Sequence, residues 1–324
     1  VQQREQAPPF IPLLAWRSAL AMSDCAGAAP DPAVSLEDRY AAIKSAQGAQ
    51  EANYASFLDA IGKDFAAKMV ADAAALGVSL DASTGQISYA ADFPDRRLQL
   101  RFDLVYCRHG KTEGNTEPRI YQGYVDEPLN YLNEIGKGQA EAAADKLDAL
   151  GLSPDLVILS PLSRAADTGY AFLNRHPELK ERTEIWDDTA EMKFGSWDNV
   201  RVRDLADDNV CHLFYLAQNA MVKSMQPYTA GKGDPIPGEN FVELLTRMQT
   251  VLAKINQRFE AAERRPLVVM YGHSMAGAAL SVLTGNGKQV DGTTHLGFDG
   301  KYIMPNATPV FLHREAEAAG GAGA

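Results

Sequence analysis

From residue 98 onward, short apolar runs alternate with stretches of helical periodicity, and this alternation restricts the fold more than any other feature of the chain. The runs are 98–107, 155–160, 183–186, 266–271 and 308–313. The first alternates and then turns wholly apolar, as a strand does on entering a sheet that is covered on both sides. Helical periodicity fills the intervals at 138–150, 164–175, 240–262 and 275–283. This order predicts an α/β fold: a three-layer sandwich whose mainly parallel sheet is covered by helices on both faces. In such sheets the functional residues follow the carboxyl ends of the strands.

The first 97 residues have another texture, rich in Ala, Asp and Gln, with a proline-broken arm at the front. Ser35, Leu36, Glu37 and Asp38 form a capping-box-like start for a helix reaching about Gln47. Tyr54, Phe57, Leu58, Ile61, Phe65, Met69 and Ala73 make one apolar stripe at helical spacing, expected to dock on the α/β part or on a second copy of the chain. The expected organisation is a mainly helical extension over 1–97, an α/β domain over 98–314 and a flexible tail over 315–324.

At the strand ends the residue types change. The first run leads into Arg108-His109-Gly110-Lys111-Thr112, with Asn115 beyond, and Lys111 and Thr112 are expected at a helix start. Fixed cations, a glycine that admits close backbone approach and N–H donors are what a phosphate pocket needs. The second run ends in Ser160-Pro161-Leu162-Ser163-Arg164-Ala165, and a later one delivers Gly272-His273-Ser274 to the same edge. Between them Glu191 precedes the turn Phe194-Gly195-Ser196-Trp197.

Together these elements resemble the histidine phosphatase superfamily, with its phosphoglycerate-mutase-like fold. The resemblance rests on the RHG motif with Thr112 and Asn115, the SPLxRA element at 160–165, and Glu191 before F-G-x-W. It continues through Gly238, Glu239, Glu243 and Arg247, then His273, then the P-N-A-T-P-V segment at 305–310. Arg119, Gln122, Gly123, Asp126, Pro128 and Leu129 resemble the R-x-Q-G-x-x-D-x-P-L segment of the phosphatase branch. Five ordered elements, each at an expected strand end, are far more specific than a lone tripeptide.

The resemblance implies that His109 attacks phosphorus and becomes a phosphohistidine, dividing one hard displacement into two easier ones. Imidazole suits the task, being a neutral nucleophile near pH 7. Arg108 and Arg164 would hold the phosphoryl oxygens, with His273 donating as charge builds on them. Glu191 would protonate the leaving alkoxide and then take a proton from water, although its place before a turn also suits a simple cap. Thr112, Asn115, Gln122, Gly123 and Ser274 are the further substrate- and phosphate-binding positions. No metal or other cofactor is expected, because the Arg and His charges do what magnesium does elsewhere. His176, His212, His295 and His313 lack motif partners and read as surface or packing residues. Cys107 reads as strand packing, not a reactive thiol. Lys111 would either strengthen the pull on an anion or point to solvent.

The segment 198–237 is expected to cap the site and choose the substrate, with Arg119 and Tyr124 contributing. It lacks the ordered Tyr…Lys…Arg-Arg set associated with the glycolytic mutases, so hydrolysis of a small phosphorylated metabolite, such as a sugar phosphate, is the leading expectation. The rivals are a phosphoglycerate mutase-type phosphoryl transferase, and a protein phosphatase or scaffold that binds a partner through the extension. A homodimer through that extension is a further possibility.

Charge narrows the partners. Thirty-one Lys and Arg against 42 Asp and Glu give a net charge of −11, which disfavours nucleic acid and anionic lipid. Any bound anion must be held by a local cluster. No apolar run approaches the roughly 18 residues of a membrane span. Three cysteines, Cys25, Cys107 and Cys211, make no disulfide framework and no zinc spacing, so a reducing compartment such as the cytoplasm is expected. Because the first residue is Val1, an exported form stays open.

Overall fold

Three of the apolar runs lie side by side in the middle of one five-stranded sheet. The computed structural model describes residues 41–314 except 44, 91–92, 94–98, 232 and 298–302, and the side chains of Gln47 and Tyr215 are also not described. The proline-rich arm, the helix start at Ser35–Asp38, Cys25, Leu98 and the tail 315–324 lie outside the described residues.

The sheet strands are β1 (Asp103–Arg108), β2 (Leu156–Leu159), β3 (Thr183–Ile185), β4 (Leu267–Gly272) and β5 (Val310–His313), in the order β3-β2-β4-β1-β5. Neighbours from β3 to β1 pair in parallel, and β5 closes the edge antiparallel to β1. The helices that matter for the sheet are α3 (Glu134–Ala149), α4 (Ser163–Leu173), α5 (Phe241–Arg258) and α6 (Ser274–Leu283). Two further helices precede them, α1 (Gln47–Ile61) and α2 (Lys63–Ala75).

Side chains of the central strands alternate between two cores, which is why their sequences are apolar throughout. Val105, Cys107, Val157, Leu159, Val269 and Tyr271 face one core with Ala140, Ala144 and Leu147 of α3 and Phe172 of α4. Leu104, Tyr106, Leu156, Ile158, Val268 and Met270 face the other, with Leu244, Leu245 and Met248 of α5 and Ala279 and Leu280 of α6. The small residues Ala140, Ala143 and Ala144 of α3 are buried in the first of these cores, where α3 lies against α4. The expected α/β sandwich with a mainly parallel sheet is what is found.

Two local expectations change. Residues 99–102 are not strand: Arg101 N donates to Asn256 Oδ1 at 2.9 Å and Asn256 Nδ2 to Gln99 O at 3.1 Å, so this stretch is tied to α5 and not to a strand. Lys111 and Thr112 do not start a helix. They enter a turn-rich loop, and α3 begins only at Glu134, where Asn133 Oδ1 caps Gly136 N at 2.9 Å.

The single apolar stripe of the N-terminal segment is split between α1 and α2 by Gly62, whose φ of +87° breaks the helix. Tyr54, Phe57, Met69 and Ala73 are buried in the core shared with α5 and α6, and Leu58, Ile61 and Phe65 pack against it. Gln50 Nε2 donates to Asp207 O and Asn53 Nδ2 to Asp208 O, both at 2.6 Å. Ala220 N donates to Gly85 O at 2.6 Å. The stripe is thus covered within the chain, by the start of α5 and by the segment after Trp197. In that segment the run 213–216 is one helical turn, and Phe214 lies between Phe194 and Phe241, with ring centroids 6.4 and 6.2 Å away.

Candidate active site

β1, β2 and β4 end together, and each passes directly into a residue set apart by the sequence. His109 follows β1, its N–H donating to Gly272 O at 2.9 Å and its carbonyl accepting from Asn306 Nδ2 at 2.8 Å. His273 follows β4 and is the N-cap of α6. The two imidazoles lie with ring centroids 5.4 Å apart, both buried. Arg164 is the second residue of α4 and fully buried, and Arg108 ends β1.

His109 Nδ1 lies 2.7 Å from Gly110 O. A carbonyl only accepts, so Nδ1 carries the proton and Nε2 keeps its lone pair. Burial, then the charges of Arg164 and Arg108, hold this imidazole well below the usual histidine range. It is therefore neutral at physiological pH, with a lone pair on Nε2. His273 is likewise pushed well down, first by burial and then by Arg164 and His109. Its Nε2 lies 2.7 Å from Ser160 Oγ, which also accepts from Leu162 N at 3.3 Å. The serine hydroxyl has a second lone pair beside the one that takes Leu162 N–H, and when it donates its own proton to Nε2 the His273 proton sits on Nδ1.

Both arginines keep their charge. Burial brings Arg108 down to about 10, and burial also lowers Arg164, with Glu191 opposing the shift in each case. Arg164 donates to Val125 O at 3.0 Å and Gly123 O at 2.7 Å, and Arg108 to Met304 O at 2.6 Å. Each spends one or two donors on fixing itself. What remains is a set of buried polar atoms with no protein partner: Arg108 Nε, Arg164 Nε, His273 Nδ1, Ser274 Oγ and Asn115 Nδ2. An unmet buried donor costs about 1–3 kcal/mol, and such a set at one edge of the sheet is chemically suited to an anion.

Glu191 sits 6% exposed against the first turn of α6. Its Oε1 accepts from Met192 N at 2.9 Å and from Met275 N and Ala276 N at 3.1 Å, whereas Oε2 accepts only from Met275 N, at 3.1 Å. The N-cap His273 makes no side-chain cap, and Glu191 takes its place. Of the two readings of this residue, the cap is the one the hydrogen bonds display, and Oε2, with a single N–H on it, keeps room for a further hydrogen bond. Arg247 clamps the segment before it, donating to Asp188 O and Ala190 O at 2.8 Å and Glu191 O at 3.2 Å, while Glu239 holds Arg247 with bonds of 2.9 and 2.7 Å.

The other expected positions form a brace beside this cluster. Thr112 Oγ1 donates to Gln122 Oε1 at 2.9 Å and accepts from Asn115 N at 3.1 Å, and Asn115 Oδ1 accepts from Thr112 N at 3.0 Å. Gly123 reaches the cluster through its carbonyl on Arg164. Its φ is +44°, and a Cβ there would run into the Asp198 carboxylate. Lys111 does not point to solvent: its Nζ caps the loop by donating to Asn115 O at 2.7 Å, and its charge is close enough to those of Arg119 and Arg108 to be felt by them. The thiol of Cys107 is pushed up to about 12 by burial, consistent with packing. His176 pairs with Asp148 and Glu178, and His212 with Ala206 O, away from the cluster.

Sequence reasoning gave no role to Tyr106, Ser160, Asp198 or Asn306. Three of them lie in or beside motifs already singled out, and their polarity was a usable signal. Asp198 is 1% exposed, accepts from Phe194 N at 3.2 Å, and burial raises its pKa well above the usual carboxylate range. It ties the Glu191 turn to the loop that holds Arg164. Among the described residues no group of three or more His, Cys, Asp or Glu is placed to hold a metal ion.

Comparison with known proteins adds an independent line. The family model described as the histidine phosphatase superfamily (branch 1) matches residues 104–295. The chain is 42% identical over 299 residues to the mannitol-1-phosphatase of Eimeria tenella, a match covering 86% of this chain and 95% of that one. Because 86% of the chain exceeds the part after residue 97, the similarity extends into the N-terminal segment. It is also 42% identical to the 2,3-bisphosphoglycerate-dependent phosphoglycerate mutase of Cutibacterium acnes, but over only 71 residues, 22% of this chain and 27% of that one. Among solved structures, one titled mycobacterial hydrolase 1 superposes with a TM-score of 0.49 at 24% identity, covering 64% of this chain and 89% of that one.

Proposed function

The chain belongs to the histidine phosphatase superfamily and is a phosphatase of small sugar phosphates, and from that premise we propose that it hydrolyses a sugar-alcohol monophosphate, mannitol 1-phosphate first among the candidates. The observation that carries the chemical part is the set of unpartnered buried donors, Arg108 Nε, Arg164 Nε and His273 Nδ1, around an imidazole whose Nε2 is free. Support for the substrate is the 42% identity to a mannitol-1-phosphatase across nearly its whole length.

In the proposed reaction His109 Nε2 forms a bond to phosphorus as the P–O bond to the sugar alcohol breaks. Glu191 passes a proton to the departing oxygen through Oε2. The guanidinium groups of Arg108 and Arg164, with His273 Nδ1–H, take the charge that grows on the non-bridging oxygens. Water then attacks the phosphohistidine, giving its proton to Glu191, and inorganic phosphate leaves with His109 restored. Ser274 and Asn115 supply further donors to the phosphoryl group. Thr112, Gln122 and Gly123 act at one remove, fixing Asn115 and Arg164.

The decisive measurement is phosphate release from a panel of phosphomonoesters that includes mannitol 1-phosphate, with isomerisation of 3-phosphoglycerate followed in parallel. Hydrolysis of the polyol ester without isomerisation is expected, and His109→Ala should lower it at least about 1,000-fold. Isomerisation outrunning phosphate release would replace this reading with a mutase, and a fully active His109→Ala chain would end it.

A further inference from the structure

The hydroxyl of Tyr106 is spent entirely on the backbone of one residue. It accepts from His273 N at 2.6 Å and donates to His273 O at 2.7 Å, with both residues buried. That carbonyl also accepts the first helical bond of α6, from Gly277 N at 3.0 Å. Room for the phenol is made by glycines on both sides of His273. A Cβ at Gly272 would strike the hydroxyl, and one at Gly277 would come within 2.6 Å of the ring. A phenylalanine would fill the same strand position, so apolar packing alone does not call for the oxygen.

The first turn of α6 carries more than His273. Its N–H groups at Met275 and Ala276 are the ones that hold the Glu191 carboxylate. Where the turn starts therefore fixes two groups at once, the imidazole facing the phosphoryl oxygens and the carboxyl facing the leaving group. Burial keeps the Tyr106 hydroxyl protonated, as its donor role demands.

We propose that Tyr106 is a positioning residue that locks the start of α6 and so aligns His273 and Glu191 as one unit. The assignment rests on the roles given to those two residues above. Tyr106→Phe removes both hydrogen bonds with no change of shape. Because proton delivery matters most where the leaving group is a poor one, the loss falls unevenly. With an alkyl phosphomonoester kcat/KM, which reports the step in which the leaving group departs and not the hydrolysis of the common phosphohistidine, should drop about 30-fold. With p-nitrophenyl phosphate, whose phenolate departs without a proton, it should drop about threefold.

The experiment is steady-state kinetics on both esters for the wild type, Tyr106→Phe and His109→Ala, with folding checked by circular dichroism. Unchanged kcat/KM in Tyr106→Phe, or equal losses of kcat/KM on the two esters, overturns the role of Tyr106 while leaving the site reading intact, provided His109→Ala is inactive. A wild type inert on both esters, or an active His109→Ala, overturns the site reading instead. Should Tyr106→Phe fail to fold, Gly272→Ala puts a Cβ against the Tyr106 hydroxyl, its three nearest atoms all belonging to Tyr106, and so displaces the same group from the strand side. It must show the same alkyl-over-aryl imbalance, and equal losses there also overturn the proposal.

Discussion

Replacing Arg247 by methionine separates what this residue does for stability from what it does for catalysis. Arg247 and Glu239 are 16% and 11% exposed, and the pair is bidentate. Burial lowers the Arg247 pKa, but the hydrogen bonds and charge of Glu239 outweigh it and leave it raised. Arg247→Met strands Glu239 in a largely buried place and removes the donor from three carbonyls at Asp188, Ala190 and Glu191. Breaking one side of a buried pair costs about 3–5 kcal/mol, which for a domain of this size is roughly 6–10 °C in Tm. Adding Glu239→Leu removes the stranded charge and should return about half of that, leaving about 1–3 kcal/mol for the carbonyls. Activity should not follow: the backbone of Glu191 is unclamped in both variants, so kcat on an alkyl ester should stay about 10- to 100-fold down. Thermal denaturation and steady-state kinetics on the single and double variants test both halves. A double variant that recovers kcat along with Tm would refute the view that Arg247 positions Glu191.

Three other outcomes follow from the geometry. His109 and His273 have depressed pKa values in the folded state, so the unfolded chain binds protons that the native one refuses. Stability should be full above about pH 6.5 and fall below it, at up to about 2.7 kcal/mol per pH unit for two groups, until the folded-state values are reached. Urea melts between pH 7 and 5 check this, and His109→Ala should halve that part of the slope. The positive charge of the site is carried by fixed guanidinium groups, so phosphatase activity should survive excess EDTA, and full loss restored by magnesium would contradict it. Gly123→Ala puts a side chain at φ +44° against Asp198 and should disturb the carbonyl that holds Arg164. KM and the inhibition constant for inorganic phosphate should rise together, about 10-fold, while a rise in KM alone would point to another cause.

Much of this was legible because the site residues interrupt a regular pattern. Arg108, His109, Arg164 and His273 each follow an apolar run, and a polar residue at the end of a buried strand has few reasons to be there other than chemistry. Glu191 was legible from its turn, although nothing local indicated that its carboxylate would cap a helix 84 residues further on. Lys111 misled because helix-start chemistry was read into a residue that serves a loop carbonyl. The split of the N-terminal stripe hinges on one glycine, and its partner, the segment after Trp197, is more than a hundred residues away in sequence. Periodicity reports which face is apolar, not what covers it. Tyr106 was hidden for a related reason: in a buried strand its ring reads as packing, and only the position of His273 gives its oxygen a purpose.

The last strand has a bearing on how the protein is made. Asn306 holds the carbonyl of His109, Ala307 N donates to Arg108 O at 2.9 Å, and the carbonyl of Met304 holds the Arg108 side chain. His109, the proposed nucleophile, is thus emitted by the ribosome almost two hundred residues before the segment that fixes its backbone. A nascent chain that already contains every proposed catalytic side chain still lacks the edge strand that sets two of them. Activity should switch on in a single step, only once residues 304–313 have cleared the exit tunnel, and fragments ending before them carry the motif without the chemistry.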